Sequence, residues 1–199
     1  MKFSELEELR LSPKVWSLIQ RGLNHAGFYN GTYRGMPGPQ TKAAYEAYIS
    51  DDSEEPEWMV IARNEIGTKE YPGDADNPDV VKYLKSVDTL NASAQIQDET
   101  SWCSAFVNWC MEEAGIKGTE SAGARSWLQW GRELDSPKKG CVVVLWRGSP
   151  TGWQGHVGFF VRETSSSLYL LGGNQNDEVN ISKYPKSRLL GFRWVDRPF

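Results

Sequence analysis

Residues 101–111, Ser101-Trp102-Cys103-Ser104-Ala105-Phe106-Val107-Asn108-Trp109-Cys110-Met111, are followed downstream by Cys141-Val142-Val143-Val144-Leu145-Trp146 and by His156-Val157-Gly158-Phe159-Phe160-Val161-Arg162. The first stretch places apolar residues at helical spacing and ends near Gly115, whereas the other two are short apolar runs of β-branched and aromatic residues. The chain therefore changes here from helix to strand. Upstream, residues 58–65 and 78–86 have helical patterns separated by a Gly/Pro-containing stretch, 67–77, and 122–130 reads as a further helix. Downstream, 167–171 and a final strand around 192–194 complete the pattern. Helices first and antiparallel strands afterwards make an α+β order, not the alternation of a doubly wound parallel sheet.

Further out, the acidic stretch 50–56 reads as a linker, which divides the chain into domains 1–52 and 53–199. Within the first, 4–11 is one short helix. Ser12-Pro13 is a helix-start signal for a second, carrying Val15, Trp16, Leu18, Ile19 and Leu23, and residues 40–49 form a third. Between the last two lie the glycines and prolines of 27–39, which favour turns.

Composition narrows the function. With 39% hydrophobic, 24% charged and 12% aromatic residues among 199, the chain is a folded protein and not a disordered one. Its 22 Lys+Arg against 26 Asp+Glu, a net charge of -4 with no basic run, argue against nucleic acid as a partner. The N-terminus lacks a basic flank and an apolar core, so it does not read as a secretory signal, and the longest apolar run is too short to span a bilayer. The expectation is a protein made in a cytoplasm, without stable membrane insertion, and monomeric. Three cysteines at irregular spacing and two histidines fit neither a disulfide framework nor a paired zinc motif, so no metal and no cofactor is expected.

Free cysteines ordinarily pack in cores. Cys110, flanked by Trp109 and Met111, and Cys141, opening an apolar strand, follow that rule. Cys110 lies about 10 Å along the helix from Cys103, beyond disulfide reach. Cys103 differs because it falls in the first helical turn, where the macrodipole and free N–H groups favour thiolate, and the N–H groups of Cys103 and Ser104 are placed to bind an oxyanion. His156 opens a strand directly after the Gly-rich loop 148–155, the position of an imidazole facing a cleft. His25 reads as a surface or cap residue. An antiparallel hairpin brings Asn174, in Leu171-Gly172-Gly173-Asn174-Gln175, beside His156; an amide there fixes the imidazole tautomer, and Gln175 is able to do the same.

Two resemblances join these readings. Val15, Gln20, Leu23, Gly27, Tyr29, Gly31, Gly35 and Gly38-Pro39 resemble, over residues 12–50, the small three-helix peptidoglycan-binding domain of cell-wall hydrolases, with Tyr29, Tyr33 and Tyr48 as amphipathic faces for sugar or peptide, or else as core of a tiny domain. Residues 1–52 carry six basic and six acidic residues, which suits a wall glycan better than a polyanion. Trp102-Cys103-Ser104-Ala105-Phe106-Val107, Gly155-His156-Val157-Gly158 and Leu171-Gly172-Gly173-Asn174-Gln175 resemble NlpC-type and CHAP-type cysteine hydrolases. That likeness implies a papain-like core with Cys103 as nucleophile, His156 as base and Asn174 as orienting residue. It also implies that Ser104, Trp102, Gln175 and Glu65 border the site, with Glu70 similar to Glu65 in that respect. The pair of domains is similar to a bacteriophage endolysin, acting on peptidoglycan after holin-type release. A secreted antibacterial effector, an acyl-transferring or deamidating relative, and a non-catalytic wall-binding protein are the alternatives.

Overall fold

The computed structural model describes residues 2–49, 55–71, 76–91, 93–96 and 101–195. The acidic linker residues 50–54 and the side chain of His25 lie outside the described residues. Two compact units divide the chain, 1–54 and 55–199.

In the first unit, α1 (Phe3–Glu8), α2 (Pro13–His25) and α3 (Pro39–Ile49) close small apolar clusters. Phe3, Leu6 and Trp16 form one and Leu23, Tyr29 and Ala44 the other, with Ile19 and Tyr45 packed against both. α2 begins as its sequence dictates: Ser12 Oγ accepts from Val15 N–H, and proline occupies the first turn. Buried Gln20 then ties the irregular segment after α2 to the helices. It donates to Met36 O (2.9 Å) and Thr41 Oγ1 (3.0 Å) and accepts from Gly35 N (3.2 Å). Gly35 is required there, since its φ is +68° and a Cβ would press on the Pro13 carbonyl.

The second unit is α+β. Helices α4 (Glu57–Asn64), α5 (Pro78–Leu84) and α6 (Cys103–Glu113) are followed by a 3-10 helix at Ala124–Gln129 and six strands. These are β1 (Arg132–Leu134), β2 (Val142–Trp146), β3 (Gly155–Glu163), β4 (Ser167–Gly172), β5 (Asn180–Pro185) and β6 (Leu189–Trp194). They form one sheet in the order β1-β6-β2-β3-β4-β5, each neighbouring pair antiparallel. Two apolar clusters explain why β2 and β4 read as unbroken apolar runs. Val142, Val144, Val157, Phe159 and Leu171 pack with the helices, whereas Cys141, Val143, Leu145, Phe160, Leu168 and Leu170 form a second cluster with Phe192. Alternate residues point to opposite faces, so both faces of the sheet are apolar. Full burial of large side chains such as Phe106, Met59 and Leu84 stabilises the helical layer by about 1.5–3 kcal/mol each. Cys110 sits in the first cluster and Cys141 in the second, both as free thiols.

The helix expected over 122–130 is a 3-10 helix instead, and β1 and β5 were not legible as strands. β1 is three residues, Arg132-Glu133-Leu134, too short for a periodic signal; β5 is polar and half exposed at the edge of the sheet.

Candidate active site

Cys103 is the first residue of α6, with Trp102 as its N-cap. The amides of Val157 and Ser104 and the side chain of Ser101 are hydrogen-bonding partners of the thiol. They favour thiolate, but the thiol is only 3% exposed and its burial outweighs them, so its pKa is raised. The expectation of a helix-start thiolate is corrected to a buried, protonated thiol. Cys141 is pushed up to about 12 by burial, and Cys110 well above its ordinary value for the same reason.

His156 pairs with Leu145 across β2 and β3, and its Nε2 lies 3.1 Å from Gln175 Oε1. Gln175 cannot turn its amide around, because its Nε2 donates to Asn180 O (2.6 Å) and Gly172 O (3.1 Å). Its Oε1 also accepts from Tyr184 Oη (2.9 Å), whose ring centroid is 5.0 Å from that of His156. With only an acceptor offered to Nε2, the imidazole carries its proton there and leaves Nδ1 with a free lone pair. Burial lowers the His156 pKa to about 4, the Gln175 hydrogen bond acting against this and the Arg147 charge with it. Thiol and imidazole are thus both neutral near pH 7, and no hydrogen bond joins them in this arrangement.

Asn174 is not the imidazole's partner. The β3–β4 register runs Phe159 opposite Leu171, and extending it sets 174 opposite His156, as the hairpin argument requires. The strand ends first, at Gly172, and Asn174 takes a left-handed conformation (φ 54°), so that Gln175 turns inward instead. Asn174 Nδ2 donates to Glu70 Oε1 (2.9 Å), which also accepts from Trp102 Nε1 (2.6 Å). Glu70 thereby couples the residue before the thiol to the residue before Gln175. Gly173 lies so close to the Trp102 ring and Phe106 that a Cβ has no room.

The other expected site residues are scaffold. Trp102 is fully buried. The Ser104 hydroxyl donates to Ser121 O (2.6 Å) and accepts from Trp127 Nε1 (2.9 Å), so only its amide reaches the thiol. Glu65 accepts from Tyr83 Oη (2.5 Å) and pairs with Lys82 (2.9 Å), lining neither of the cavities that flank the site. Asn108, unremarked in the sequence, is a hub: it donates to Ser104 O and Ser121 O and accepts from the amides of Thr119 and Glu120. Tyr184 was equally hidden, being on an edge strand whose alternation is polar.

Two cavities of about 390 Å³ each open beside these residues. His156, Gln175, Asn174, Tyr184, Asp177 and Arg188 line one, and Cys103, Ser101, Leu90, Ala122, Ala124 and Trp153 the other; Arg147 lines both. Among the described residues no cluster of three or more His, Cys, Asp or Glu is placed to hold a metal ion, and no helix is long and apolar enough to cross a membrane.

In the first unit the three tyrosines separate. Tyr29 is 5% exposed and donates to Thr32 O (2.9 Å), which makes it core and corrects its assignment to a ligand-facing surface. Tyr33 (41% exposed) stacks on Tyr29, and Tyr48 (51% exposed) meets Phe28 edge-on. A separate groove of about 410 Å³ is lined by Gln20, Gly31, Thr32, Arg34, Met36 and Gln40 with the edge of Tyr29, but by neither Tyr33 nor Tyr48.

No curated protein matches the chain. Among solved structures, a Staphylococcus aureus protein described as similar to lipoprotein, NLP/P60 family, aligns at 16% identity with a TM-score of 0.43. The alignment covers 82% of this chain and 52% of that one, so this chain spans about half of it. Residues 95–174, the segment that holds Cys103, His156 and Asn174, match the family model described as the CHAP domain.

Proposed function

We propose that residues 55–199 are a cysteine hydrolase that cuts an amide bond of bacterial peptidoglycan. The observation that carries this is a helix-initial thiol that meets the amide of Val157, the residue after His156, whose neutral imidazole has its tautomer dictated by Gln175. The match of 95–174 to the CHAP domain supports the same reading. In the reaction His156 Nδ1 takes the Cys103 proton as sulfur attacks the amide carbonyl, so that charge appears only when substrate is present. The amides of Ser104 and Val157, already at the sulfur, stabilise the thiolate as it forms. The imidazolium then protonates the leaving amine, and the thioester is hydrolysed by a water that His156 deprotonates. Glu70 and Asn174 are positioning residues, acting through Trp102 and Gln175.

The first unit acts as a wall-binding module, with the groove beside Gln20 and Gly31 supporting this assignment. A binding unit joined to a wall hydrolase fits an endolysin-like role in lysis. The test is digestion of purified walls followed by mass spectrometry of the fragments. New amine and carboxylate ends, absent with Cys103→Ala, support the proposal, and intact walls with the unaltered chain refute it.

A further inference from the structure

Trp153 is 85% exposed, more than any other large apolar side chain among the described residues. It belongs to the β2–β3 connection, residues 147–154, and that connection is braced. Arg125, from the 3-10 helix Ala124–Gln129, donates Nε to Gln154 O (2.9 Å), Nη1 to Pro150 O (3.1 Å) and Nη2 to Ser149 O (3.0 Å). Within the segment, Ser149 N bonds Arg147 O and Gly152 N bonds Ser149 O. A connection held this way has given up its conformational freedom while leaving an indole in water. Covering the ring recovers the second cost, and the bracing already in place means that binding has no ordering of this segment to oppose it.

Arg147, at the base of the same segment, is the lining residue common to the thiol-side and imidazole-side cavities. Three other arginines of this unit are engaged, Arg125 by three carbonyls, Arg63 by Glu55 and Arg193 by Glu133, while Arg188, on the imidazole-side wall only, lies over the Trp146 ring. Among the described residues, no carboxylate or carbonyl lies within hydrogen-bonding distance of the Arg147 guanidinium. A guanidinium presents a planar fork of donors that matches a carboxylate in two parallel hydrogen bonds. The thiol-side cavity is mostly apolar, lined by Leu90, Ala122 and Ala124 together with Trp153.

We infer that residues 147–154 form a rigid specificity arm, on which Arg147 binds a carboxylate of the substrate next to the scissile amide while Trp153 covers the adjoining apolar portion. This rests on the reading of the paired cavities as a hydrolase site. It favours peptides with a free carboxylate beside the bond that is cut over those in which that group is amidated.

Two probes separate these: an N-acetylmuramoyl tetrapeptide with a free α-carboxylate on its second residue, and its counterpart with a carboxamide there. Affinity is measured by titration calorimetry on the full chain carrying Cys103→Ala, which cannot turn the probes over. The carboxylate form is expected to bind about tenfold tighter, as a charge-assisted bidentate pair requires. Adding Arg147→Ala or Arg147→Gln brings the ratio to about one, whereas Arg147→Lys keeps part of it, because an ammonium retains charge without the fork. Trp153→Ala weakens both probes by a similar factor and leaves the ratio in place. Equal affinities in the Cys103→Ala protein, or a preference that survives both Arg147 replacements, overturn the inference. Hydrolysis of the same probes by the unaltered chain is followed in parallel. Its absence breaks the hydrolase reading, while the affinity ratio still decides the role of Arg147.

Discussion

Both units bury aromatic side chains, but the second also uses the polar edges of its buried indoles. In residues 1–54, Phe3, Trp16 and Tyr29 are the core, because a unit of that size has few other large groups to bury. In residues 55–199 aromatic side chains such as Phe106 and Phe159 share the core with the aliphatic residues of the sheet and helices, and the indoles also act through their N–H groups. Trp58 donates to Gly140 O, Trp102 to Glu70, Trp127 to Ser104 and Trp146 to Ser187 O. An aromatic residue in a small unit is therefore poor evidence of a ligand surface. In the larger unit, a buried tryptophan beside the thiol marks a scaffold that holds polar groups in place.

The largest expected effect belongs to the larger unit. Cys103→Ala should lower wall hydrolysis at least about a thousandfold, as loss of a nucleophile does, while Cys110→Ala and Cys141→Ala retain activity and lose stability. Muropeptide release under matched conditions checks this, and comparable loss in all three variants would move the nucleophile elsewhere.

Next come the adjacent amides. Gln175→Ala removes the acceptor that dictates the imidazole tautomer and should cost about a hundredfold or more in kcat/KM, whereas Asn174→Ala, which removes a hydrogen bond to Glu70 and leaves Gln175 in place, should cost about tenfold. Reversed sizes would return the orienting role to Asn174.

His156 makes the larger unit sensitive to acid. Its folded pKa, about 4, lies below the ordinary 6.5. Between those values the unfolded chain binds the proton that the folded chain refuses, so stability rises with pH, by up to about 1.4 kcal/mol per unit. Above 6.5 the contribution is fully present, and it is lost as pH falls toward 4. Urea titrations from pH 4 to 7 should show this slope and His156→Gln should flatten it; an equal slope in the variant would place the effect in other groups. Hydrolysis should likewise keep its neutral base down to about pH 4, the acid limb of its kcat/KM profile falling there and not near 6.5.

The smaller unit provides the smallest effects on activity. Tyr29→Ala should destabilise it by about 3 kcal/mol through a core cavity. Tyr33→Ala and Tyr48→Ala should leave its melting within about 0.5 kcal/mol, as exposed positions do, and leave co-sedimentation with walls unchanged, since neither lines the groove. A Tyr29 variant that melts normally but no longer binds would reverse the comparison between the units.

The parts of the site legible in the sequence were those with local causes. Cys103 at a helix start follows from the apolar run after it, and His156 from the Gly-rich loop and strand around it. β2, β3 and β4 were readable because they are buried on both faces, so each carries an apolar run. β5 was not, because an edge strand keeps polar residues on one side, and Tyr184 was lost with it. Gln175 and Asn174 were both in view, but the choice between them depended on one residue of strand length.

By itself, then, the sequence determined the α+β order, the helix that carries the thiol, the strand that carries the imidazole and the core roles of Cys110 and Cys141. Local spacing, capping and apolar periodicity act over a few neighbours and leave their record in the chain. Tertiary structure alone decided that the thiol is neutral, that Gln175 faces His156, that Glu70 joins Trp102 to Asn174, and that Arg147 stands between two cavities. Burial, hydrogen-bond partners and unpaired charge come from groups distant in sequence. Glu70 and Asn174 are brought together by the backbone pairing of 67–70 with 177–179, two segments far apart in sequence.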